Sequence, residues 1–320
     1  MNKYIALCLA LAGLWLSSCG PDQTATTSGL SDLSGSAPTP RQYWESFAQM
    51  CAGYPSKGGC DDGDMVLFNG LLCATGDPRA CDQVKYSQDS DGRWWRSPRR
   101  KGDNLGENNS FSRDMALGVM LYLVTYRDTA AADRWMDWVR DNRPCIQRKP
   151  FGGGCLIRGA HRFCKDDSDN RCTLTPAIWG VLGRVYQYLG MSRTSEMRQY
   201  EDSDGDALPT KATEAPTGYE LHLAAVEVFL KAKIDASRVP RETAANKLVN
   251  RQPNNPFFRF LKFGNNTDLK TRVLSLCPSH RAPHNSNLRQ WAWERDTAES
   301  AWRNTSGWDC IFMGNLIGLP

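Results

Sequence analysis

The chain has 320 residues, of which 41% are hydrophobic and 23% are charged, and its formal net charge is +4 at pH 7. A chain of this length can bury a large core, so the sequence predicts one domain after the N-terminal segments. Basic clusters such as 96–101 are accompanied by acidic stretches such as 61–64 and 166–169. This balance argues against nucleic acid as a partner, although a local basic rim can still attract an acidic polysaccharide or a lipid headgroup.

The first eighteen residues have the pattern of a signal peptide. Lys3 precedes an apolar run that ends at Leu16, and Leu16-Ser17-Ser18-Cys19 has the form of a lipobox. The motif resembles that of bacterial lipoproteins, which implies a mature chain that begins at a lipidated Cys19 and is held on the membrane by its acyl chains. The run is too short for a stable transmembrane helix. The alternative is a plain signal peptide that happens to carry a cysteine.

The next segment, 19–40, is predicted to be a flexible tether. It is rich in Gly, Ser, Thr and Pro and poor in large apolar residues. Gly20, rather than an aspartate, follows Cys19, which resembles lipoproteins destined for the outer membrane, facing the periplasm or the cell surface. Residues 41–320 are expected to form a single helical domain.

Ten cysteines follow Cys19, and an even number predicts disulfide bonds in an oxidising compartment. Pairing each cysteine with its nearest neighbour along the chain gives five bridges: 51–60, 73–81, 145–155, 164–172 and 277–310. A zinc site is not predicted, because paired CxxC steps are missing and Cys277-x2-His280-x3-His284 has no fourth ligand nearby. No cofactor is predicted either.

Hydrophobic periodicity predicts helices, and alternation typical of strands is scarce. Ser112 and Thr175-Pro176 have the residue types expected where a helix begins. An Asp-rich segment at 202–206 is expected to be a solvated turn. The predicted helices cover 41–52, 62–75, 112–127, 130–141, 175–190, 217–235, 241–250, 255–263, 288–303 and 308–318.

Four helical segments, 64–73, 114–123, 177–186 and 221–230, are apolar on nearly all sides and contain small residues. More polar helices such as 130–140 follow them. This alternation predicts inner helices surrounded by amphipathic outer ones, which is the arrangement of an α/α toroid. The spacing between the apolar segments is uneven, so an irregular helical bundle is the alternative.

The segments that carry a family resemblance are 63–73, 91–98, 109–118, 291–296 and 307–313. They resemble parts of the carbohydrate-active enzymes that have an α/α toroid. The resemblance implies an enzyme that acts on polysaccharide as a glycoside hydrolase or a polysaccharide lyase, but it supplies no catalytic residues.

Catalytic candidates are expected at the mouth of such a toroid, where inner helices begin. Glycoside hydrolysis needs two carboxyl groups, one protonated and one ionised. Asp64 and Asp114 are the first pair, and Glu220 is the leading substitute acid. Each has a structural alternative, because an aspartate in a first helical turn, such as Asp114 behind Ser112, also stabilises the helix dipole.

A lyase would use different groups from the same helix starts. His222 and Tyr219 would remove a proton beside a uronate carboxylate that Arg113 neutralises. A lone histidine in an apolar helix is alternatively a core residue, and Arg113 is alternatively part of a structural ion pair.

Substrate binding is assigned to aromatic side chains in polar surroundings. Trp94 and Trp95 lie in a loop-like stretch where exposed indoles would stack on sugar rings, or where at least one of them packs into the core. Trp308 and Asp309 begin another predicted inner helix and are grouped with them. The sequence thus predicts a lipid-anchored envelope protein acting on polysaccharide. The alternative is a non-catalytic envelope lipoprotein that binds a glycan or a protein in the same groove.

Overall fold

The computed structural model describes residues 37–57, 60, 63–102, 110–165, 170–201, 203–234, 236, 238–281 and 306–320. The predicted signal peptide, Cys19, nearly all of the tether and the predicted helix at 288–303 lie outside these residues. Pro38–Pro320 forms one compact unit. This unit holds the whole described hydrophobic core and all five disulfides, so it carries its own core.

The described chain is mainly helical, and every helix predicted within it is present, although the first ends at Glu45. The helices are α1 (Pro40–Glu45), α2 (Met65–Ala74), α3 (Pro78–Tyr86), α4 (Arg113–Tyr126), α5 (Thr129–Asp141), α6 (Pro176–Tyr188), α7 (Ser195–Gln199), α8 (Ser203–Glu214), α9 (Tyr219–Lys233), α10 (Arg238–Arg251), α11 (Pro256–Phe263), α12 (Thr267–Leu276) and α13 (Trp308–Ile317).

Helices α3, α7, α8 and α12 were not predicted. The start of α8 overlaps the expected solvated turn at 202–206, so that expectation is wrong. Pro209 inside α8 removes a backbone donor and hides the helical pattern. Helix α3 begins at Pro78, behind an Asp77 carboxylate that accepts hydrogen bonds from backbone amides of its first turn.

The predicted caps of two helices are confirmed. The Ser112 side chain accepts a hydrogen bond from the Met115 amide at the start of α4, and Thr175 does the same for Ile178 in α6. These caps satisfy amide groups that the helix itself leaves without partners. They fix the positions at which α4 and α6 begin.

Helices α2 and α4 cross with almost no space between their backbones. A methyl group added to Gly118 would lie 2.2 Å from the Val66 oxygen, and one added to Gly70 would lie 2.3 Å from the Gly118 oxygen. Only glycine allows this approach at both positions. The crossing holds the start of α2 beside the start of α4.

Every residue of α2 is buried, as are most residues of α4, α9 and α13. Helix α4 packs on α2, α6 and α9, while α13 packs on α1, α2 and α12. Two indole groups fasten α1 and the segment after it to the C-terminal part. The Trp44 Nε1 donates to the Pro278 oxygen at 2.9 Å, and the Trp308 Nε1 donates to the Gln49 oxygen at 2.8 Å.

Two small antiparallel sheets complete the described fold: β1 (Met50–Cys51) with β2 (Tyr54–Pro55), and β3 (Cys145–Arg148) with β4 (Cys155–Arg158). All five predicted disulfides are confirmed: Cys51–Cys60, Cys73–Cys81, Cys145–Cys155, Cys164–Cys172 and Cys277–Cys310. Within the described residues, no helix is both long enough and apolar enough to cross a bilayer.

Candidate functional site

A cavity of about 470 Å³ lies where three helices begin. Its charged lining comes from the first turns of α4 and α9, from Lys211 in α8 and from Glu227 further along α9. The amino ends of α4, α6 and α9 contribute, so their dipoles favour negative charge there. The lining residues are Arg113, Asp114, Leu117, Thr175, Ala177, Ile178, Lys211, Ala215, Glu220, Leu223, Ala224 and Glu227.

Asp114 lies in the first turn of α4 and lines the cavity. It is half-buried, and its Oδ2 accepts a hydrogen bond from the Tyr219 hydroxyl at 3.1 Å. Burial raises its pKa, and the negative charge of Asp64 adds to this rise. The Tyr219 hydrogen bond and the nearby cations Arg113 and Lys211 oppose the rise without cancelling it. Asp114 therefore retains a proton at a higher pH than an ordinary aspartate.

Glu220 supplies a second carboxyl group to the same cavity. It is the second residue of α9, it is exposed to solvent, and it follows the tyrosine that contacts Asp114. The structure thus brings together Arg113, Asp114, Tyr219 and Glu220 of the predicted site residues. One buried and one solvated carboxyl in one cavity is an arrangement that separates acid from base by environment.

Asp64 lies outside the lining of the cavity. It occupies the N-cap position of α2 without a side-chain capping hydrogen bond, and its carboxylate pairs with Lys57 Nζ at 3.5 Å and with Arg96 Nη1 at 3.4 Å. The same arginine nitrogen donates to the Gly63 oxygen at 2.6 Å. Asp64 is therefore held as a structural anion, and it affects the cavity through its charge on Asp114. The prediction that Asp64 and Asp114 act as a pair across the substrate does not fit this geometry.

Three charged residues that the sequence reasoning missed form an ion-pair network, and two of them, Lys211 and Glu227, line the cavity. Glu227 is buried in α9 and pairs with Lys211 Nζ at 2.8 Å and with the buried Lys231 Nζ at 3.1 Å. Burial alone would raise the pKa of Glu227, but the two ammonium groups lower it, so the carboxylate stays ionised. The sequence did contain a sign of this pair: Glu227 and Lys231 are four residues apart in an apolar helix, a spacing that places opposite charges on one helix face.

His222 is a core residue, and its predicted catalytic role is wrong for this structure. Its side chain is fully buried, and its ring centroid lies 6.0 Å from that of Phe257. Burial of the imidazole and the positive charge of Lys57 lower its pKa to about 3. The next residue along α9, Leu223, lines the cavity, whereas the His222 side chain has no exposed surface from which to reach a substrate.

Trp94 and Trp95 belong to the core, so neither forms the predicted stacking surface. Trp94 is 0% exposed, and its ring meets those of Tyr122 and Trp135 edge to face. Trp95 is buried beneath the guanidinium group of Arg93, which lies 3.7 Å above its ring. The surroundings of Trp95 look polar in sequence although its indole is buried, because the Arg93 side chain covers the ring.

Trp308 and Asp309 are also buried, because α13 is enclosed along most of its length. The Trp308 indole donates to the Gln49 oxygen, and the Asp309 carboxylate accepts from the Cys310 amide at 3.1 Å. Neither lines the cavity. The predicted lipidation residue, Cys19, lies outside the described residues.

Comparison of the chain with protein-family models, with curated proteins and with solved structures gives no match. Within the described part of the chain, His, Cys, Asp and Glu side chains form no group of three or more that could hold a metal ion.

Proposed function

We propose that this cavity is the active site of a polysaccharide-degrading enzyme, in which Asp114 is the general acid and Glu220 the second carboxylate. The observation that supports this proposal is the raised pKa of a half-buried Asp114 in the same cavity as a solvated Glu220. A carboxyl group that stays protonated beside one that ionises is what glycoside hydrolysis requires.

In this reaction Asp114 donates its proton to the oxygen that leaves as the glycosidic bond breaks. Glu220, as a carboxylate, either activates a water molecule or attacks the sugar carbon directly. Tyr219 holds the Asp114 side chain through its hydroxyl group at 3.1 Å. Arg113 and Lys211 give the cavity two cations that suit an acidic sugar.

A lyase is the variant within the same proposal. With His222 buried in the core, proton removal would fall to Tyr219, whose hydroxyl contacts Asp114. Arg113 would neutralise the uronate carboxylate. The hydrolase is preferred because Asp114 and Glu220 both line the cavity, in addition to the ion-paired Glu227.

The proposal also covers the toroid fold and the attachment of the protein to the membrane. Buried helices α2, α4 and α9 beside amphipathic ones such as α5 are compatible with the inner and outer layers of an α/α toroid. The lipobox at Leu16–Cys19 supports attachment of the enzyme to the bacterial envelope through a lipidated Cys19, in the outer membrane.

A non-catalytic envelope lipoprotein that binds a glycan or a protein is the second candidate. The ion pairs of Asp64 with Lys57 and Arg96 favour it, because they occupy one of the predicted catalytic carboxylates. The fixed Lys211–Glu227 pair also suits binding more than turnover.

The test incubates residues 38–320, with all five disulfides formed, with neutral polysaccharides, uronate-containing polysaccharides and peptidoglycan. New reducing ends and the absorbance of unsaturated uronates are followed together. Asp114→Asn and Glu220→Gln are compared with Asp137→Asn, an exposed aspartate of α5 that pairs with Arg140.

Reducing ends that disappear in the first two variants but persist in the third would support the hydrolase, and growth of uronate absorbance would support the lyase. Equal activity in all three variants would refute the roles of Asp114 and Glu220. Binding without products on the whole panel would favour the non-catalytic lipoprotein.

A further inference from the structure

The hairpin 143–159, formed by β3, β4 and their connection, exposes apolar side chains that have no role in the core. Both strands are exposed or partly exposed along their length. Ile146 is 72% exposed, and Phe151 at the tip is completely exposed. A two-stranded sheet without a packing layer is marginal in water. Here the Cys145–Cys155 disulfide joins the strands, so the hairpin persists without burying these side chains.

The same region is strongly basic. Residues 142–165 contain no aspartate or glutamate, and their cations are Arg143, Arg148, Lys149, Arg158, Arg162 and Lys165. Arg143 fastens the base of the hairpin by donating to the Gly159 oxygen at 2.7 Å. Arg148 and Lys149 stand next to the tip and are exposed. An apolar tip flanked by cations and free of acidic residues therefore projects from the domain.

The backbone holds this tip in a defined form. Phe151 has a φ of 59°, a left-handed conformation that is rare for a bulky residue. The Lys149 amide donates to the Gly154 oxygen at 2.9 Å, which closes the loop around the phenylalanine. The fold thus keeps a large aromatic side chain in water, which is a feature of surfaces that bind a partner or a membrane.

We infer that hairpin 143–159 docks on the surface of an anionic phospholipid bilayer. Phe151 and Ile146 enter the boundary between headgroups and acyl chains, while Arg148 and Lys149 lie among the lipid phosphates. A lipid surface fits better than a folded protein, because Phe151 at the tip and Ile146 in β3 are exposed apolar groups with no acidic residue between them, and the neighbouring cations match lipid phosphates. The inference does not depend on the chemistry of the cavity.

The test measures how residues 38–320 partition onto vesicles of phosphatidylcholine alone and of phosphatidylcholine with phosphatidylglycerol. Asparagine tolerates left-handed backbone, so Phe151→Asn removes the aromatic group and keeps the loop. Arg148→Ser with Lys149→Ser removes the two cations at the tip. Phe263→Asn is the matched control, since Phe263 is an exposed phenylalanine of α11 beside the cations Arg259 and Lys262.

We expect binding to the anionic vesicles that weakens with salt. Phe151→Asn should weaken it about tenfold through the lost apolar burial, and the double variant about 30-fold through the two lost charges. Phe263→Asn should bind like the parent protein.

Three outcomes would overturn the inference, provided that circular dichroism and a thiol count show a folded, fully oxidised protein. In the first, the protein binds anionic and neutral vesicles equally well. In the second, Phe263→Asn weakens vesicle binding as much as Phe151→Asn does. In the third, the protein binds a soluble acidic polysaccharide but no vesicles. The last would assign the hairpin to a glycan instead.

Discussion

The crossing of α2 and α4 makes Gly118→Ala an informative substitution. The new methyl carbon would lie 2.2 Å from the Val66 oxygen and 2.5 Å from the Leu67 Cα. Ordinary carbon contacts are about 3.5 Å or longer, so both contacts are too short by about 1 Å or more. Because both neighbours are backbone atoms, no side chain can rotate away, and the helices must separate.

The expected cost follows from two opposing effects. Alanine in place of a helical glycine gains about 1 kcal/mol of helix propensity. Forcing an extra carbon into a packed core typically costs about 1–3 kcal/mol, and a clash with backbone lies at or above the upper end of that range. We expect Gly118→Ala to lower the free energy of unfolding by about 2 kcal/mol or more.

Urea unfolding followed by circular dichroism measures this change, with Gly183→Ala as the matched helical control. A methyl group on Gly183 would lie 3.1 Å from the Met197 oxygen, so the neighbouring backbone would have to move by only a few tenths of an ångström. The control should stay within about 1 kcal/mol of the parent protein, since its propensity gain offsets mild crowding. A Gly118→Ala protein as stable as the parent would refute the close backbone contact of α2 and α4.

Three further outcomes are expected. The unfolded chain protonates His222 near pH 6.5 whereas the folded chain does so near pH 3, so the free energy of unfolding should fall by about 3 kcal/mol between pH 7.5 and pH 4. Urea titrations should show that His222→Gln flattens this dependence, and an unchanged slope would contradict the buried neutral imidazole. Tyr219→Phe removes a hydrogen bond that lowers the Asp114 pKa, so a carbon-13 NMR titration of that carboxyl should show a higher pKa, and a lower one would exclude the contact. Trp94→Ala should lower the free energy of unfolding by about 3–5 kcal/mol in urea, whereas an exposed stacking residue would change it by less than about 0.5 kcal/mol.

The sequence predicted most of the fold because its buried helices are long and apolar. Met115–Val124 is buried without interruption, and such a run is hard to interpret as anything but a core helix. Helix α12 shows the limit of this reasoning. Its buried residues Leu269, Val273 and Leu276 have helical spacing, but they are few and separated by polar residues.

Some candidate residues were expected together because a residue's place in a helix determines its surroundings. Arg113, Asp114 and Glu220 were found because helix starts were expected to converge, and they do line one cavity. Lys211 was missed because it comes from α8, which the pattern did not reveal. Its pairing with Glu227 depends on contacts between helices, and no local spacing encodes such contacts.

Trp94 and Trp95 were assigned to an exposed surface because their neighbours in sequence are polar. Polar neighbours in sequence suggested an exposed loop around Trp94 and Trp95, but the guanidinium group of Arg93 lies over the second indole. When a cation covers an aromatic ring, the sequence around the ring is polar although the ring itself is buried, so composition does not reveal the burial.

The disulfides also determine the order in which the domain can be completed. Four bridges join cysteines only 8 to 10 residues apart, whereas Cys277–Cys310 spans 33. Short loops close at low entropic cost, so the four local bridges can form before distant segments meet. The fifth requires α13 to dock beside α12, and α13 also packs on α1. A folding intermediate with two free thiols at Cys277 and Cys310 is therefore a chain whose last described helix has not yet joined the core.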